Sequence, residues 1–267
     1  RIPAPAPELH IDAIGSEEWF LQTSPELCMK RLLAAGYQRI FQICRCFRKN
    51  ERGNKHLEEF TMLEWYCANS DYMDMMNNCE ALVVFAAEET GHYDSFSYQG
   101  QKIDLKKPFD RLTVAEAFEK YASIDMSTAL KLDKFDECMG LEIEPCLGRQ
   151  KPLFLYDYPA QCNALARLSP DNPMVAERFE LYIAGIELCN AFSELTDPQE
   201  QKSRFEEEEK NRRSLGKPPY PFPKKFIQDL AYMPPASGNA LGIDRLSMLF
   251  ADTEAIDDIV TFTYESL

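Results

Sequence analysis

A pair of alternating segments on either side of a polar loop constrains the fold of this chain most strongly. Polar and apolar side chains alternate over 39–48 and again over 60–66, and the residues between them are mostly polar and include Gly53. A period of two is typical of strands that bury one face. Two such strands joined by a polar loop predict an antiparallel hairpin with a long loop.

A second hairpin is predicted over 178–190, with a two-residue Ala-Gly turn at its centre. This turn pairs Tyr182 with Glu187, and Glu180 lies two residues before Tyr182, so the two carboxylates share one face of the sheet. Neighbouring carboxylates repel each other unless a positive group lies between them. A solvated face is the simpler interpretation, but the apolar residues around both carboxylates favour a metal ion or a cationic ligand.

Capping residues mark the starts of several helices. Thr113 and Glu116 form a capping box, and Asp197 is followed by Pro198 at the first helical position. Apolar residues at helical spacing predict a further helix over 72–89, whose methionines are interpreted as core.

The helix after Asp197 ends in a cluster of basic residues, Lys210, Arg212 and Arg213. Cations in a last helical turn suit the helix dipole, so a solvated face is the simpler interpretation. The same residues are a candidate docking patch for an acceptor molecule. We predict a single domain over 1–267, in which the least patterned segment, at about 91–150, is a peripheral insertion.

Composition narrows the class of protein. The 267 residues include 44 acidic and 29 basic side chains, a formal net charge of −15. Such a charge gives no bulk attraction to nucleic-acid phosphates or anionic lipids, and we expect no segment to span a membrane. The nine cysteines form no CxxC pair and the chain has three histidines, which predicts reduced thiols, no zinc site and a cytoplasmic location.

Several separated features suit a nucleotide. Arg48 ends the first strand, Phe60 begins its partner, and Gly238 and Gly242 precede a helix that begins near Arg245. Arginine and a helix start both favour phosphate, and glycine lets the backbone approach a ligand. Each feature alone is weak, because such a turn and such arginines are usually only structural. Neither a P-loop nor a dinucleotide fingerprint is present in the sequence, so a nucleotide site of another kind is predicted.

Three segments together resemble class II aminoacyl-tRNA synthetases. Phe-Arg at 47–48, His56 and Glu-Phe-Thr-Met-Leu-Glu-Trp-Tyr at 59–66 are similar to motif 2 of that class, and Gly-Asn-Ala-Leu-Gly-Ile-Asp-Arg at 238–245 is similar to motif 3. Gly-Ile-Glu-Leu-Cys-Asn-Ala-Phe-Ser-Glu-Leu-Thr-Asp at 185–197 resembles the lysyl-tRNA synthetases. Within that branch the likeness is closer to the short paralogues that ligate β-lysine to a lysine of elongation factor P, through the segments at 23–26, 41–45, 64–66 and 194–197.

The resemblance implies an α+β fold, a class II catalytic core with a mostly antiparallel sheet flanked by helices. It implies ATP and Mg²⁺ as cofactors and (R)-β-lysine or lysine as the small substrate. It further implies elongation factor P as the acceptor, with tRNA less favoured, and a homodimer.

Residue roles follow from the same resemblance. Arg48 would bind the α-phosphate and the substrate carboxylate, Arg245 the γ-phosphate, His56 the phosphate tail and Phe60 the adenine ring. The implied nucleotide set is Arg48, Lys49, Asn50, His56, Phe60, Glu187, Leu188, Gly242 and Arg245, with Arg48 and Arg245 catalytic and Glu180 and Glu187 as Mg²⁺ ligands. The implied amino-acid pocket is Ser24, Glu26, Glu64, Tyr66, Asn190, Glu194 and Ala240. A substrate with two ammonium groups needs several buried carboxylates, and this set supplies them.

Four positions depart from the lysyl-tRNA synthetase pattern. Asn50 stands where motif 2 has Glu, and Glu51 can replace that Glu only if the loop shifts by one residue. Leu57 and Glu58 replace an Asn-Pro pair. Lysyl-tRNA synthetases tend to have Gly where this chain has Ala240, and one methyl group in the pocket floor can change substrate choice.

Three hypotheses follow. The leading one is an ATP-dependent ligase that adenylates a lysine-type amino acid and transfers it to a lysine of elongation factor P. The alternative enzyme is a lysyl-tRNA synthetase core. The third hypothesis is a non-catalytic, synthetase-like binding module, which the changes at Asn50 and 57–58 favour.

Overall fold

A seven-stranded sheet is the centre of the computed structural model, which describes residues 1–162 and 165–267. In chain order the strands are β1 (Gly15–Ser16), β2 (Trp19–Phe20), β3 (Arg39–Phe47), β4 (Glu59–Ala68), β5 (Ser95–Tyr98), β6 (Gln101–Asp104), β7 (Asp110–Thr113), β8 (Leu153–Pro159), β9 (Val175–Ile183), β10 (Ile186–Ser193) and β11 (Ala236–Gly242). The order across the sheet is β3-β4-β11-β10-β9-β8-β7, and β1-β2 and β5-β6 form two small separate hairpins.

Neighbouring strands of the large sheet are antiparallel, apart from β7 and β8, which run parallel. The first predicted hairpin is confirmed as β3 and β4, with Phe47 opposite Glu59 at its loop end. The glycine-rich segment that precedes the last long helix was predicted to be a turn, and this prediction is wrong. It forms the strand β11, which lies between β4 and β10.

The helices are α1 (Glu26–Ala34), α2 (Tyr72–Glu89), α3 (Val114–Tyr121), α4 (Met126–Lys131), α5 (Phe135–Cys138), α6 (Pro198–Ser214), α7 (Lys224–Leu230) and α8 (Ile243–Phe250). The capping box at Thr113 and the Asp197 cap are both present, so these two predicted starts are confirmed. The predicted helix over 72–89 is confirmed as α2. No helix within residues 1–162 and 165–267 has the length and apolar character needed to cross a membrane.

Helices cover the two faces of the sheet differently. On one face, α2 and α8 pack on the central strands and bury Met76 and Val83 in the largest core. On the other face, α1, α6 and α7 cover the β4 end around Tyr66, and α3 to α5 cover the β8 and β9 end around Tyr182. The middle of that second face is left for a cavity. The segment at 91–150 contributes β7 to the edge of the sheet as well as α3 to α5.

The basic cluster at the end of α6 does not form the solvated face that its sequence predicts. The side chain of Arg212 is fully buried and bonds Asp12 of the N-terminal segment, at 3.0 Å between Nη2 and Oδ1. Lys210 and Arg213 are exposed and pair with glutamates of their own helix. The predicted docking patch therefore loses its central cation.

Candidate active site

A cavity of about 270 Å³ opens between the helices on the second face of the sheet. Strands β4, β10 and β11 form its floor, and the start of α1 and the β3–β4 loop contribute to its walls. The predicted site residues that line it are Ser24, Glu26, Arg48, His56, Phe60, Glu64, Tyr66, Glu187, Leu188, Asn190, Glu194, Ala240, Gly242 and Arg245. Three predicted residues, Lys49, Asn50 and Glu180, are not brought to its surface.

One end of the cavity is acidic and holds a buried lysine. Lys30 Nζ lies 2.5 Å from a carboxylate oxygen of Glu26 and 2.5 Å from one of Glu194. Burial alone would lower the pKa of Lys30, but the charges of Glu194 and Glu26 outweigh it and raise the pKa. The sequence reasoning missed Lys30, although its spacing of four residues from Glu26 in α1 was a signal for an ion pair.

Glu64 is bonded in a different way, by hydroxyl groups. Ser24 Oγ donates to Glu64 Oε1 at 2.5 Å, and the Tyr66 hydroxyl donates to Oε2 at 2.8 Å. Burial, together with the charge of Glu26, raises the pKa of Glu64 to about 7. Burial also raises the pKa of Glu194 to about 8, against the lowering effect of Lys30. Near neutral pH Glu64, which has no cation of its own among the described residues, can therefore lose a proton when a cationic ligand binds.

Gly238 in strand β11 allows Tyr66 and Glu194 to pack close together at the acidic end. A Cβ atom at Gly238 would lie 2.3 Å from the Tyr66 ring and 2.4 Å from Glu194 Oε1, so only glycine fits there. The sequence assigned Gly238 to ligand approach, but its packing role is against protein side chains. Ala240 lies opposite Asn190 on β10 and Glu64 on β4, as expected for a residue of the pocket floor.

The other end of the cavity is basic. Arg245 Nη1 donates to the backbone oxygen of Glu187 at 2.8 Å, and Nη2 contacts Nε2 of His56. Burial and the charge of Arg245 lower the pKa of His56 to about 4, so the imidazole is neutral at pH 7. The Arg48 guanidinium lies over the Phe60 ring, 5.1 Å from its centroid. A planar ring and two arginines suit an aromatic base and phosphates.

The β3–β4 loop brings Glu51, and not Asn50, to the cavity. Asn50 adopts a left-handed backbone with φ of 64°, and its N–H donates to Glu58 Oε1 at 2.6 Å. The next residue, Glu51, lines the cavity and lies 3.7 Å from Nη1 of Arg48. Asn tolerates this backbone conformation better than Glu does, because its short side chain bonds locally. Glu51 is therefore the carboxylate of this loop that lies beside Arg48.

A bulge in β10 explains how Glu180, Glu187 and Asn190 share one face. The predicted pairing of Glu187 with Tyr182 is confirmed, but the register then shifts by one residue and places Asn190 opposite Glu180. Alternation alone would put Glu187 and Asn190 on opposite faces. The extra residue in the bulge returns both to the cavity side.

A positive group does lie beside Glu180, and it comes from the protein. Arg178 Nη2 donates to Glu180 Oε1 at 2.6 Å, and the hydroxyls of Tyr158 and Tyr182 each donate to Oε2 at 2.6 Å. Glu187 has a more open carboxylate, 3.5 Å from Arg245 Nη1. Burial and the charge of Glu180 raise the pKa of Glu187 to about 7. The two carboxylates are therefore not equivalent as ligands for a cation.

The chain belongs to the class II tRNA synthetase family. The family model for class II tRNA synthetases (D, K and N) matches residues 6–266. The motifs at both ends of the cavity and the antiparallel sheet beneath it agree with this assignment.

Two kinds of relative are similar to most of the chain. An elongation factor P–(R)-β-lysine ligase of Erwinia tasmaniensis is 41% identical over 265 residues, which cover 95% of this chain and 80% of that protein. The corresponding ligase of Salmonella dublin is 40% identical, covering 92% and 78%. A lysine–tRNA ligase of Moorella thermoacetica is 39% identical, covering 91% of this chain and 54% of its own length.

Proposed function

We propose that this chain is an ATP-dependent, AMP-forming ligase that adenylates (R)-β-lysine or lysine and transfers it to a lysine of elongation factor P. The observation that carries the proposal is the division of one cavity into an acidic end and a basic end. The acidic end suits the ammonium groups of a diamino acid, and the basic end suits a nucleoside triphosphate. The identity and high coverage of the relatives named for this reaction support it.

Adenylation requires the substrate carboxylate to attack the α-phosphate in line with the departing pyrophosphate. Arg48 belongs to the basic end but is near enough to the acidic end for its charge to act on Glu64, so its guanidinium would hold the carboxylate and the α-phosphate together. Arg245 and neutral His56 would bind the phosphate tail, and Phe60 would stack on adenine. Positive groups at these places offset the charge that develops as pyrophosphate leaves.

Mg²⁺ fits the basic end through Glu187. Proteins commonly hold this ion with one or two carboxylates together with substrate phosphates. In the part of the chain that the structure describes, no group of three or more His, Cys, Asp or Glu side chains is arranged to hold a metal. The nucleotide would therefore supply most of the other ligands. Glu180 would join them only by exchanging one of its three present donors, and the bound ion would neutralise phosphate charge.

We also propose that the protein acts in the cytoplasm as a homodimer. Strand β3 is an edge of the large sheet, and its Phe41 and Ile43 are 74% and 58% exposed. An edge strand with exposed apolar side chains is a surface that proteins commonly cover. Light scattering in solution tests this proposal, and a monomeric mass at micromolar concentration would contradict it.

The tRNA-charging alternative keeps the same adenylation chemistry and differs in the acceptor. Its support is the similarity to lysine–tRNA ligases, of whose length this chain covers about half. The non-catalytic alternative rests on the changes at Asn50 and 57–58, and the position of Glu51 beside Arg48 weakens the first of these two supports.

ATP–pyrophosphate exchange tests the proposed activity. Exchange should occur with (R)-β-lysine and with α-lysine, and we expect the β isomer to be preferred because of the Ala240 methyl group. Arg48→Ala should abolish it, whereas Arg45→Ala should not, since Arg45 is an exposed residue of β3, three residues before Arg48, and is paired with Glu59. No exchange with either isomer, in folded wild-type protein, would favour the binding module.

A further inference from the structure

Residues at the end of helix α6 and just after it fix an irregular N-terminal segment against the cavity. Arg212 Nη1 donates to the backbone oxygens of Glu8 at 2.7 Å and of Ile11 at 3.0 Å. Lys217 Nζ donates to the backbone oxygen of Leu9 at 2.9 Å and to Asp12 at 3.0 Å. A segment outside the large sheet thus has its carbonyl groups satisfied by two cations.

The same segment is also bonded through its N–H groups. Leu9 N–H donates to Glu208 at 3.1 Å, and Ala13 N–H donates to the Tyr220 hydroxyl at 2.8 Å. The Tyr220 ring in turn lies 4.2 Å from the guanidinium carbon of Arg212. Ordering a loop costs conformational entropy for every residue fixed. These bonds therefore hold the segment, and the side chain of Glu8 with it, in one position beside the cavity.

The side chain that these bonds position is Glu8. Glu8 lines the cavity together with Glu26 and Arg48. Burial raises the pKa of its carboxyl to about 7, the charge of Glu26 adds to this effect, and the charge of Arg48 opposes it. Sequence reasoning did not select Glu8, because it lies in a proline-rich segment without a recognisable motif.

Glu8 differs from the other acidic residues of the cavity in its bonding. Lys30 already neutralises Glu26 and Glu194, and Glu64 accepts two hydroxyl hydrogen bonds. Among the residues that the structure describes, none makes a hydrogen bond or an ion pair with the Glu8 carboxylate. Glu8 is half-buried and faces the cavity without a partner in the described part of the chain, so a cationic ligand in the cavity is its natural complement.

We propose that Glu8 binds the amino group that lies nearest the reacting carboxylate of the diamino acid. Arg48, a neighbour of Glu8, would hold that carboxylate, whereas Glu64, Tyr66 and Glu194 lie at the acidic end, where the distal amino group would bind. This inference rests on the proposed function, because it needs a substrate with an amino group close to its carboxylate. It makes Glu8 a substrate-binding residue for which the motifs give no sign.

The test combines one substitution with substrate analogues. Exchange is measured for wild type and Glu8→Gln with lysine and with 6-aminohexanoate, which lacks the amino group next to the carboxylate. A lost charge-assisted hydrogen bond predicts that KM for lysine rises by roughly 10- to 100-fold. KM for 6-aminohexanoate should change less than about threefold. Glu18→Gln, an exposed residue of the same part of the chain, is the charge-matched control.

The outcomes separate this inference from the proposed function. An equal rise in KM for both compounds would overturn the role of Glu8, and so would no change for lysine. If wild type shows no exchange with any substrate, the proposed function fails, and lysine binding is then measured by calorimetry in both proteins. Weaker binding of lysine, but not of 6-aminohexanoate, by Glu8→Gln would still support the contact, and equal binding by both proteins would overturn it.

Discussion

The two ends of the cavity are built differently. At the acidic end, the side chains of Lys30 and Glu194 have no exposure. Glu26 and Glu194 contact Lys30, and Glu64 accepts a hydrogen bond from a hydroxyl group. At the basic end, Arg48 and Arg245 keep about a fifth of their side-chain surface exposed, and Glu187 keeps 38%. The acidic end is part of the folding core, whereas the basic end is held by loops and by contacts that a ligand can replace.

Because of this difference, we expect substitutions at the acidic end to lower mainly stability and substitutions at the basic end to lower mainly activity. Changes at the acidic end remove interactions that the folded protein needs without any ligand. Changes at the basic end remove groups that would bind the nucleotide. Each of the following predictions tests that separation.

The largest effect on stability is expected for Lys30→Met. It leaves Glu26 and Glu194 close together without their cation, and breaking a buried ion pair in this way costs about 3–5 kcal/mol. Urea unfolding measures the loss. Lys202→Met, which removes an exposed partner of Glu206, should cost less than about 1 kcal/mol. Equal losses for the two variants would contradict the structural role of the acidic end.

Arg245→Ala should lower activity with ATP more than stability, which is the reverse of the expectation for Lys30→Met. We expect kcat/KM for ATP to fall roughly 10- to 100-fold, because a charge-assisted phosphate contact is lost. The free energy of unfolding should change by less than about 1 kcal/mol, since the Arg245 side chain is partly exposed. Exchange kinetics and urea unfolding of the same preparations provide both values. A large loss of stability with little change in kcat/KM for ATP would contradict the difference between the two ends of the cavity.

The smallest effect is expected in the pH dependence of lysine binding. Glu64 has a pKa of about 7, above its ordinary value, so the folded protein without ligand holds its proton to higher pH than the unfolded chain does. A diammonium ligand favours the ionised form, so affinity should fall by at most about tenfold per pH unit below 7 for this group. Glu8 and Glu194, which also have raised pKa values, add to the slope.

Calorimetry at several pH values measures this slope. Glu64→Gln should make it shallower, and binding to wild type at pH 7 should release protons, which appears as a dependence of the heat on the buffer. A slope that is the same in Glu64→Gln and wild type would show that Glu64 stays ionised throughout, contrary to its burial.

The resemblance to the synthetase motifs predicted residues at both ends of the cavity, and strand geometry predicted part of their arrangement. The two-residue Ala-Gly turn is enough to predict the pairing of Tyr182 with Glu187, because a turn of that length sets the register of its strands. The bulge that brings Asn190 to the same face was not predictable, because no local residue preference requires it. Similarly, Arg212 has the pattern of a solvated helix end, and only the return of the N-terminal segment makes it buried. Long-range contacts of this kind also decide the place of Glu8.

Intact mass spectrometry of elongation factor P tests the central claim most directly. The factor is incubated with this protein, ATP, Mg²⁺ and either lysine isomer, and Arg48→Ala protein is the control. The account predicts the mass gain of one lysyl group on a single lysine of the factor, faster with (R)-β-lysine and absent with the variant. An unchanged mass, under conditions in which the same enzyme charges tRNA with lysine, would contradict it.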